Sequence, residues 1–305
     1  MSKLITVFGA TGNQGGSVIR AILAHPTLSK EFKIRGITRD SSKPAAQELA
    51  KQGVEMMSAD MNSTSSVTPA VANAHTVFLV TNFWDSAKKE VEYSQGKNVA
   101  DAAKAAGVSH FIFSSLINVT EASNGRLPNV DHFDGKADIE KYIKSIELPA
   151  TFVLPGYFMN NFERSLRKGE DGVFTLNVPI SDKAQFPLFD VADTGKYVTA
   201  VMNKFPEFLG KDIYEAVDYY TPSRIVSEFT EVTGYPAKVV QITPEQYKSF
   251  MPAFAAQEFL ENHQLLEGPG YFTGASLGES LAVLEQKPTS WKEFVEGAKS
   301  RAWKA

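Results

Sequence analysis

The sequence predicts an α/β protein built on a doubly wound parallel sheet, with a smaller and mostly helical C-terminal region. Two observations support this. Through the first half of the chain, short apolar strand patterns alternate with helical patterns, which is typical of a parallel sheet covered by helices. After residue 156 this alternation stops. We therefore expect residues 1–155 to form the sheet domain and residues 156–305 a smaller region interleaved with the sheet, where a substrate or partner would bind.

Six strands are predicted in the first half, at residues 3–8, 33–38, 54–58, 76–80, 110–114 and 150–154. The helices expected between them cover residues 17–24, 45–51 and 86–106. Right-handed crossovers between parallel strands then fix most of the topology. In the second half we expect a strand or hairpin arm at 172–178 and a helix from Asp190 to residue 201. The segment 221–304 is predicted to be mostly helical.

A glycine-rich turn joins the first strand to the first helix. Residues 9–16 read GATGNQGG, with glycines at Gly9, Gly12 and Gly15. Gly9 allows a tight turn, Gly12 lets a pyrophosphate approach the backbone, and Gly15 lets the helix pack closely on the strand. The positive end of the helix attracts phosphate. In this context the turn predicts a Rossmann-type dinucleotide site, and the alternative is a glycine turn that binds no ligand.

The end of the second strand bears on which dinucleotide is bound. An NAD-selective site usually has an acidic residue there, but this chain runs through residues 36–38 directly to Arg39. Arg39 can hold a 2′-phosphate by charge-assisted bonds, so we predict NADP(H), with NAD(H) as the alternative. Asp40 could supply the missing acid, and Arg39 could be a solvated loop charge. Asp60 is either a partner of the adenine amino group or a loop or capping carboxylate.

Composition excludes several functional classes. A net charge of −4 provides no electrostatic footprint for direct nucleic-acid binding. Without cysteines the chain has no disulfide framework, thiolate metal site or cysteine nucleophile. A GxSxG serine elbow and a zinc motif are also absent from the sequence, so we expect no metal. With no apolar run of membrane length and no leader, we expect a protein of the cytoplasm or nucleus.

Five segments resemble the NmrA-like family, an atypical branch of the short-chain dehydrogenase/reductase superfamily. They are residues 9–16 (GATGNQGG), 38–40 (TRD), 80–84 (VTNFW), 132–136 (HFDGK) and 154–161 (LPGYFMNN). The resemblance runs in order to about Asp193 and continues more loosely to the C-terminus. Segments 81–84 and 132–136 are most similar to an NADPH-sensor subgroup of the family.

The resemblance implies a position for each site residue. The pyrophosphate would be cradled by Gly9, Thr11, Gly12, Asn13, Gln14 and Gly15, and the 2′-phosphate would meet Arg39. After the fourth strand, Thr81, Asn82 and Phe83 would lie along the cofactor, and Lys136 would lie beside the nicotinamide ribose. The nicotinamide end and the substrate-facing cleft would be lined by Tyr157, Phe158 and Asn160. Open α/β sheets bind ligands at the carboxyl ends of their strands, which agrees with these positions.

The residue that would carry proton chemistry is missing. A short-chain reductase generally has a tyrosine four residues before its lysine, and the tyrosine protonates the nascent alkoxide. In this chain His132 stands four residues before Lys136. We therefore predict a redox sensor that binds NADP(H) and acts through a protein partner.

The alternative is a reductase that acts on a small carbonyl, quinone or imine. Lys136 could then donate the proton, as in the isoflavone-reductase relatives, or His132 could do so. Ser114 and Ser115 could orient a carbonyl. These residues could instead have no chemical role. Lys136 would then be a surface lysine at a helix start, His132 a structural histidine, and the two serines would bond to the backbone.

A second feature near the predicted nicotinamide end is aromatic. Five rings could form a flat substrate pocket or could belong to the core, namely Phe83, Trp84, Tyr157, Phe158 and Phe162. No pattern in the sequence predicts an oligomeric state, and neither hypothesis calls for a membrane or a direct nucleic-acid partner.

Overall fold

The computed structural model describes residues 2–303. Its first half alternates strand and helix, as the sequence predicts. The elements are β1 (Lys3–Phe8), α1 (Asn13–Ala24), α2 (Leu28–Glu31), β2 (Phe32–Thr38), α3 (Pro44–Lys51), β3 (Glu55–Ser58), α4 (Thr64–Val71), β4 (Thr76–Leu79), α5 (Lys89–Ala105), β5 (His110–Ser114), α6 (Val119–Ala122), α7 (Asp131–Ser145) and β6 (Ala150–Pro155). A single 3₁₀ turn, Phe83–Asp85, lies between β4 and α5.

The second half mixes short strands with helices. Its elements are β7 (Tyr157–Phe158), α8 (Phe162–Ser165), β8 (Leu166–Lys168), β9 (Phe174–Val178), β10 (Phe186–Phe189), α9 (Thr194–Asn203), β11 (Asp212–Glu215), β12 (Asp218–Tyr220), α10 (Pro222–Thr233), β13 (Ala237–Gln241), α11 (Pro244–Ser249), α12 (Ala256–Glu267), α13 (Gly278–Val283) and α14 (Trp291–Ala302). Two further 3₁₀ turns cover Met159–Asn161 and Val191–Asp193.

The central sheet is parallel and doubly wound, so the predicted fold class is confirmed. Its seven strands run in the order β11-β6-β5-β4-β1-β2-β3, and every neighbouring pair is parallel. The order reverses between β1 and β4, where open α/β sheets bind their ligands. Two three-stranded sheets, β12-β10-β7 and β13-β9-β8, are formed by strands of the second half of the chain.

One predicted helix boundary is wrong, and several short strands of the second half are not predicted by the sequence. The first helix begins at Asn13 rather than residue 17, because the extended backbone of Gly12 caps it and the later glycines lie inside its first turns. The segment from 221 onward is mostly helical, as predicted, but it also contains β13, which pairs with β9, and β11 joins the central sheet earlier in the same half. These strands have three to five residues, too few to produce a recognisable alternation.

Helices cover both faces of the sheet and bury its apolar side chains. One face packs against α1 and α9, through residues such as Ile22 and Val201. The other packs against α4, α5 and α7, through residues such as Val99 and Ile139. Burial on both faces explains why β4, β5 and β6 consist almost entirely of apolar or small residues, with His110 as the exception. Within residues 2–303, no helix is long and apolar enough to cross a membrane.

Candidate functional site

The turn after β1 requires glycine at two positions. Gly9 has a φ of +67°, and a Cβ there would lie 2.9 Å from Val80 Cγ1. A Cβ on Gly15 would lie 2.3 Å from the carbonyl oxygen of Gly9. The roles predicted for these two glycines, a tight turn and a close helix approach, are therefore confirmed as local geometry. A Cβ on Gly12 would be 3.2 Å from the same oxygen, which is tight.

The start of α1 is open to a ligand. Gly12 caps the helix without a side-chain hydrogen bond, and the first turn has no acidic residue. Thr11, Gly12 and Asn13 are all exposed. The first N–H groups of a helix carry partial positive charge and have no partner within the helix. This cradle therefore fits the pyrophosphate of a dinucleotide, both in charge and in the space left by the missing side chains.

Gln14 connects the cradle to the next part of the site. Its Oε1 accepts a hydrogen bond of 2.8 Å from Ser114 Oγ at the end of β5. Ser114 and Ser115 are both fully buried, and Ser115 Oγ is 3.4 Å from the carbonyl oxygen of Leu116. Both hydroxyls are thus engaged within the protein. The sequence did not indicate the link between Gln14 and Ser114, because 100 residues separate them.

Three charged residues lie where the adenosine end is predicted. Arg39 is 76% exposed, and its Nη1 lies 3.1 Å from Asp85 Oδ2. Asp40 accepts two hydrogen bonds from Ser42, which lower the pKa of its carboxyl. Asp60 Oδ1 accepts from the backbone and side-chain nitrogens of Asn62. Arg39 therefore remains the accessible cation at this end, and the adenine role of Asp60 stays a prediction.

Lys136 lies in a buried network. It is 9% exposed and stands in the second turn of α7, so the interpretation as a surface lysine is wrong. Its Nζ donates to Thr81 Oγ1 at 2.9 Å, to the Thr81 carbonyl oxygen at 3.2 Å, and to Glu92 Oε1. Thr81 Oγ1 itself donates to Glu92 Oε1 at 2.7 Å. These three acceptors use all three N–H bonds of the ammonium group.

Glu92 is the member of this network that the sequence did not predict. Its side chain is fully buried, and Oε2 has no hydrogen-bond partner in residues 2–303. A Cβ on Gly135 would lie 3.1 Å from that oxygen, so the glycine before Lys136 leaves room for the carboxylate. A buried charge needs a partner of opposite charge, and Lys136 provides one. In the sequence, Gly135 next to Lys136 could have indicated that another group packs closely there, but it does not show that this group is Glu92.

His132 contacts the C-terminal region. Its Nδ1 lies 2.6 Å from Glu258 Oε1 on α12, and its backbone N–H donates to the same oxygen at 2.9 Å. Close by, the ring of Trp84 stacks on Phe259 with centroids 5.1 Å apart. Trp84 also lies 5.3 Å from the His132 ring. Helix α12 therefore contacts both the start of α7 and the 3₁₀ turn after β4.

The residues predicted at the nicotinamide end lie after β6. Tyr157 and Phe158 form β7 and are partly buried, and Asn160 Oδ1 is buried without a partner in the described chain. Burial raises the pKa of the Tyr157 hydroxyl above its usual value. The nearby ring of His263 lies 5.9 Å from Tyr157, and burial lowers the pKa of His263 to about 4.

The five aromatic side chains of the predicted pocket do not form one cluster. Phe83 packs on Trp84, Tyr157 packs on Phe162, and Phe158 packs on Phe189 instead. Phe83 and Phe162 are buried in the core, as the structural interpretation predicts. The buried ring of Phe83 is therefore not available to line a cleft, whereas Asn82 and Trp84 on either side of it are exposed.

The fold and the glycine turn together define a Rossmann-type α/β protein with an anion cradle at the switch point of its sheet. The profile of the NmrA-like family matches residues 1–295. The chain therefore belongs to the NmrA-like family.

Named relatives include both enzymes and a regulator. The NmrA-like family domain-containing oxidoreductase ptmS of Penicillium ochrochloron is 30% identical over 335 aligned positions, covering 99% of this chain and 96% of that protein. The structure of NmrA, a negative transcriptional regulator, in complex with NADP is 22% identical with a TM-score of 0.82, covering 97% of this chain and 94% of NmrA.

Two further solved structures have the same fold. NmrA in complex with NAD aligns with a TM-score of 0.83 at 23% identity, covering 97% of this chain and 94% of NmrA. The NADPH-dependent quinone oxidoreductase QOR2 of Escherichia coli, complexed with NADPH, aligns with a TM-score of 0.79 at 22% identity. That alignment covers 96% of this chain and 99% of QOR2.

Proposed function

We propose that this protein binds NADP(H) and acts as a redox-responsive regulator through a protein partner. The observation that carries the proposal is the state of Lys136. All three of its N–H bonds have acceptors inside the protein, and the residue four positions earlier is His132 rather than tyrosine. The site thus has a cofactor cradle, while the usual proton donor is absent and the lysine is fully engaged.

Binding of the cofactor would use the elements described above. Gly9, Gly12 and the open N–H groups of α1 would hold the pyrophosphate. Arg39 would bond the 2′-phosphate, which would favour NADP(H) over NAD(H). Complexes of family structures with NADP and with NAD are consistent with a nicotinamide dinucleotide as ligand.

The attachment of α12 supports a regulatory output. This helix contacts the 3₁₀ turn after β4 through Trp84 and the start of α7 through Glu258. The turn contains Phe83 and α7 contains Lys136, and both residues are predicted to lie along the cofactor. A cofactor that moved either element would shift α12, and a partner that binds the shifted helix would respond to the cofactor state. Such a response requires oxidised and reduced cofactor to bind the two states with different affinity.

The second candidate is a reductase, and the relative named as an oxidoreductase over 99% of this chain favours it. Bound NADPH would supply the hydride for the carbon of a carbonyl, quinone or imine. The oxygen or nitrogen would take a proton from His132 or Lys136. Either donor would first have to exchange a bond to Glu258 or Glu92 for one to the substrate.

Cofactor oxidation separates the two candidates. NADPH binding is measured first by calorimetry, and its oxidation is then followed at saturating protein with carbonyls, quinones and imines. Variant Lys136→Ala tests the site, and Lys141→Ala removes an exposed lysine of the same helix as a matched control. We expect binding without turnover. Saturable turnover that is lost in Lys136→Ala and kept in Lys141→Ala would instead establish the reductase.

A further inference from the structure

Asp85 lies at the position where a cofactor phosphate is expected. The residue ends the 3₁₀ turn after β4, and its Oδ2 lies 3.1 Å from Arg39 Nη1. The other oxygen, Oδ1, accepts a hydrogen bond of 2.7 Å from Asn82 Nδ2. Both carboxylate oxygens are thus held: Oδ1 by Asn82, which directly precedes the turn, and Oδ2 by Arg39 in the loop after β2.

The contact uses the cation on which the predicted NADP(H) preference rests. In residues 2–303 Asp85 is the carboxylate that pairs with Arg39, since the adjacent Asp40 is turned towards Ser42. A carboxylate and a phosphate both need the guanidinium N–H groups, and they repel each other at close range. A phosphate that bonds Arg39 therefore competes with Asp85 for Nη1 and is repelled by the nearby carboxylate.

We propose that Asp85 competes with the 2′-phosphate for Arg39 and thereby sets how strongly the site prefers NADP(H) over NAD(H). The inference rests on the proposed role of Arg39 in cofactor binding. A ligand with a 2′-phosphate must either displace Asp85 from Arg39 or bind beside its negative charge, whereas a ligand without the phosphate leaves the pair intact. Because Arg39 is 76% and Asp85 40% exposed, the pair is weak enough to be broken by a ligand.

The same exchange would reach the rest of the site. Asp85 and Trp84 belong to one 3₁₀ turn, and Trp84 stacks on Phe259 of α12. The preceding Thr81 is fixed by Lys136 and cannot follow easily. Release of Asp85 would therefore free the end of the turn at Trp84 and Asp85, while Thr81 before the turn stays fixed.

The test uses two probes that contain only the adenosine half of the cofactor. Adenosine 2′,5′-bisphosphate carries the 2′-phosphate, and adenosine 5′-monophosphate lacks it. Calorimetry compares the wild type with Asp85→Asn, which keeps the shape of the side chain and an oxygen for Asn82 but removes the charge. Variant Asp171→Asn removes a carboxylate from another exposed ion pair, with Lys238, and controls for net charge.

We expect Asp85→Asn to bind the bisphosphate about fivefold more tightly and the monophosphate as the wild type does, since a surface ion pair contributes up to about 1 kcal/mol. The gain should shrink as ionic strength rises from about 0.1 M to about 1 M. Equal binding by Asp85→Asn and the wild type, or an equal gain in Asp171→Asn, would overturn the competition.

Arg39→Ala distinguishes this inference from the proposed function. The variant should lose affinity for the bisphosphate, and adding Asp85→Asn to it should then give no gain. If Arg39→Ala binds both probes as the wild type does, the proposed 2′-phosphate site fails, and the competition fails with it. If only the response to Asp85→Asn is missing, the cofactor proposal stands and the competition is rejected.

Discussion

At the scale of single residues, the glycine turn imposes the strictest requirement. Gly15 lies where α1 crosses the backbone of Gly9, so a methyl group has no room to move aside. Gly16, the next residue, is different. A Cβ there would meet the flexible end of Arg20 at 3.2 Å and the Ala10 carbonyl oxygen at an ordinary 3.4 Å. The packing of α1 therefore requires glycine at position 15, whereas position 16 has room for a methyl group.

We expect Gly15→Ala to lose about 2 kcal/mol of unfolding free energy and most of its NADPH affinity, because the helix start must shift away from the turn. Gly16→Ala should be neutral or slightly stabilising, since alanine is the better helix former. Urea unfolding and calorimetric NADPH titration measure both effects. Equal stability of the two variants would contradict the steric explanation.

At the scale of elements, α12 connects the two halves of the chain. Glu258 accepts from His132, and Glu261 accepts from the backbone and side-chain nitrogens of Asn129. Both glutamates are largely buried, so their charge is balanced mainly by hydrogen bonds from the segment before and at the start of α7. The helix is therefore held by polar contacts as well as by the stacking of Trp84.

Removing Glu258 should loosen this attachment. Glu258→Ala leaves the His132 N–H and ring without their acceptor, a loss that typically costs about 1–3 kcal/mol. Hydrogen–deuterium exchange should become faster in residues 129–132 and 256–263. Glu245→Ala, an exposed glutamate on α11, is the control and should leave exchange unchanged. Unaltered exchange in Glu258→Ala would show that the bonds of Glu261 and the stacking of Trp84 hold α12 without Glu258.

The sequence was informative about elements where the pattern is local. Strands β1 to β6 are apolar runs between turns, and all six were predicted to within one residue at each end. Strand β11 was missed because Asp212–Glu215 has two acidic ends, and pairing with β6 is what makes it a strand. The same limit applies to the site. Lys136 lies in a recognisable segment, whereas its partner Glu92 is 44 residues away in sequence.

At the scale of the whole molecule, two buried histidines make stability depend on pH. Burial lowers the pKa of His110 to about 3 and that of His263 to about 4, against about 6.5 in an unfolded chain. Between about pH 6.5 and pH 4 the unfolded chain binds protons that the folded one does not. The free energy of unfolding therefore falls as the pH drops through this window.

Each histidine contributes at most about 1.4 kcal/mol per pH unit in that window. We expect the free energy of unfolding of His263→Gln to fall less steeply with decreasing pH, by up to this amount per pH unit, because a neutral side chain replaces one titrating group. Urea unfolding of both proteins from about pH 7 to about pH 4 measures the two slopes. Parallel slopes would mean that the pKa of His263 in the folded protein is not lowered from its value in the unfolded chain.

The position of β11 affects how the chain is made. Strand β6 is buried on both faces and is bordered by β5 on one side, but its other neighbour comes from residues 212–215. Until those residues leave the ribosome, β6 is an apolar edge with unpaired backbone groups, a template for pairing with other chains. The nascent protein is therefore most exposed to aggregation between the synthesis of β6 and that of β11, and fragments that end in this interval should need a chaperone.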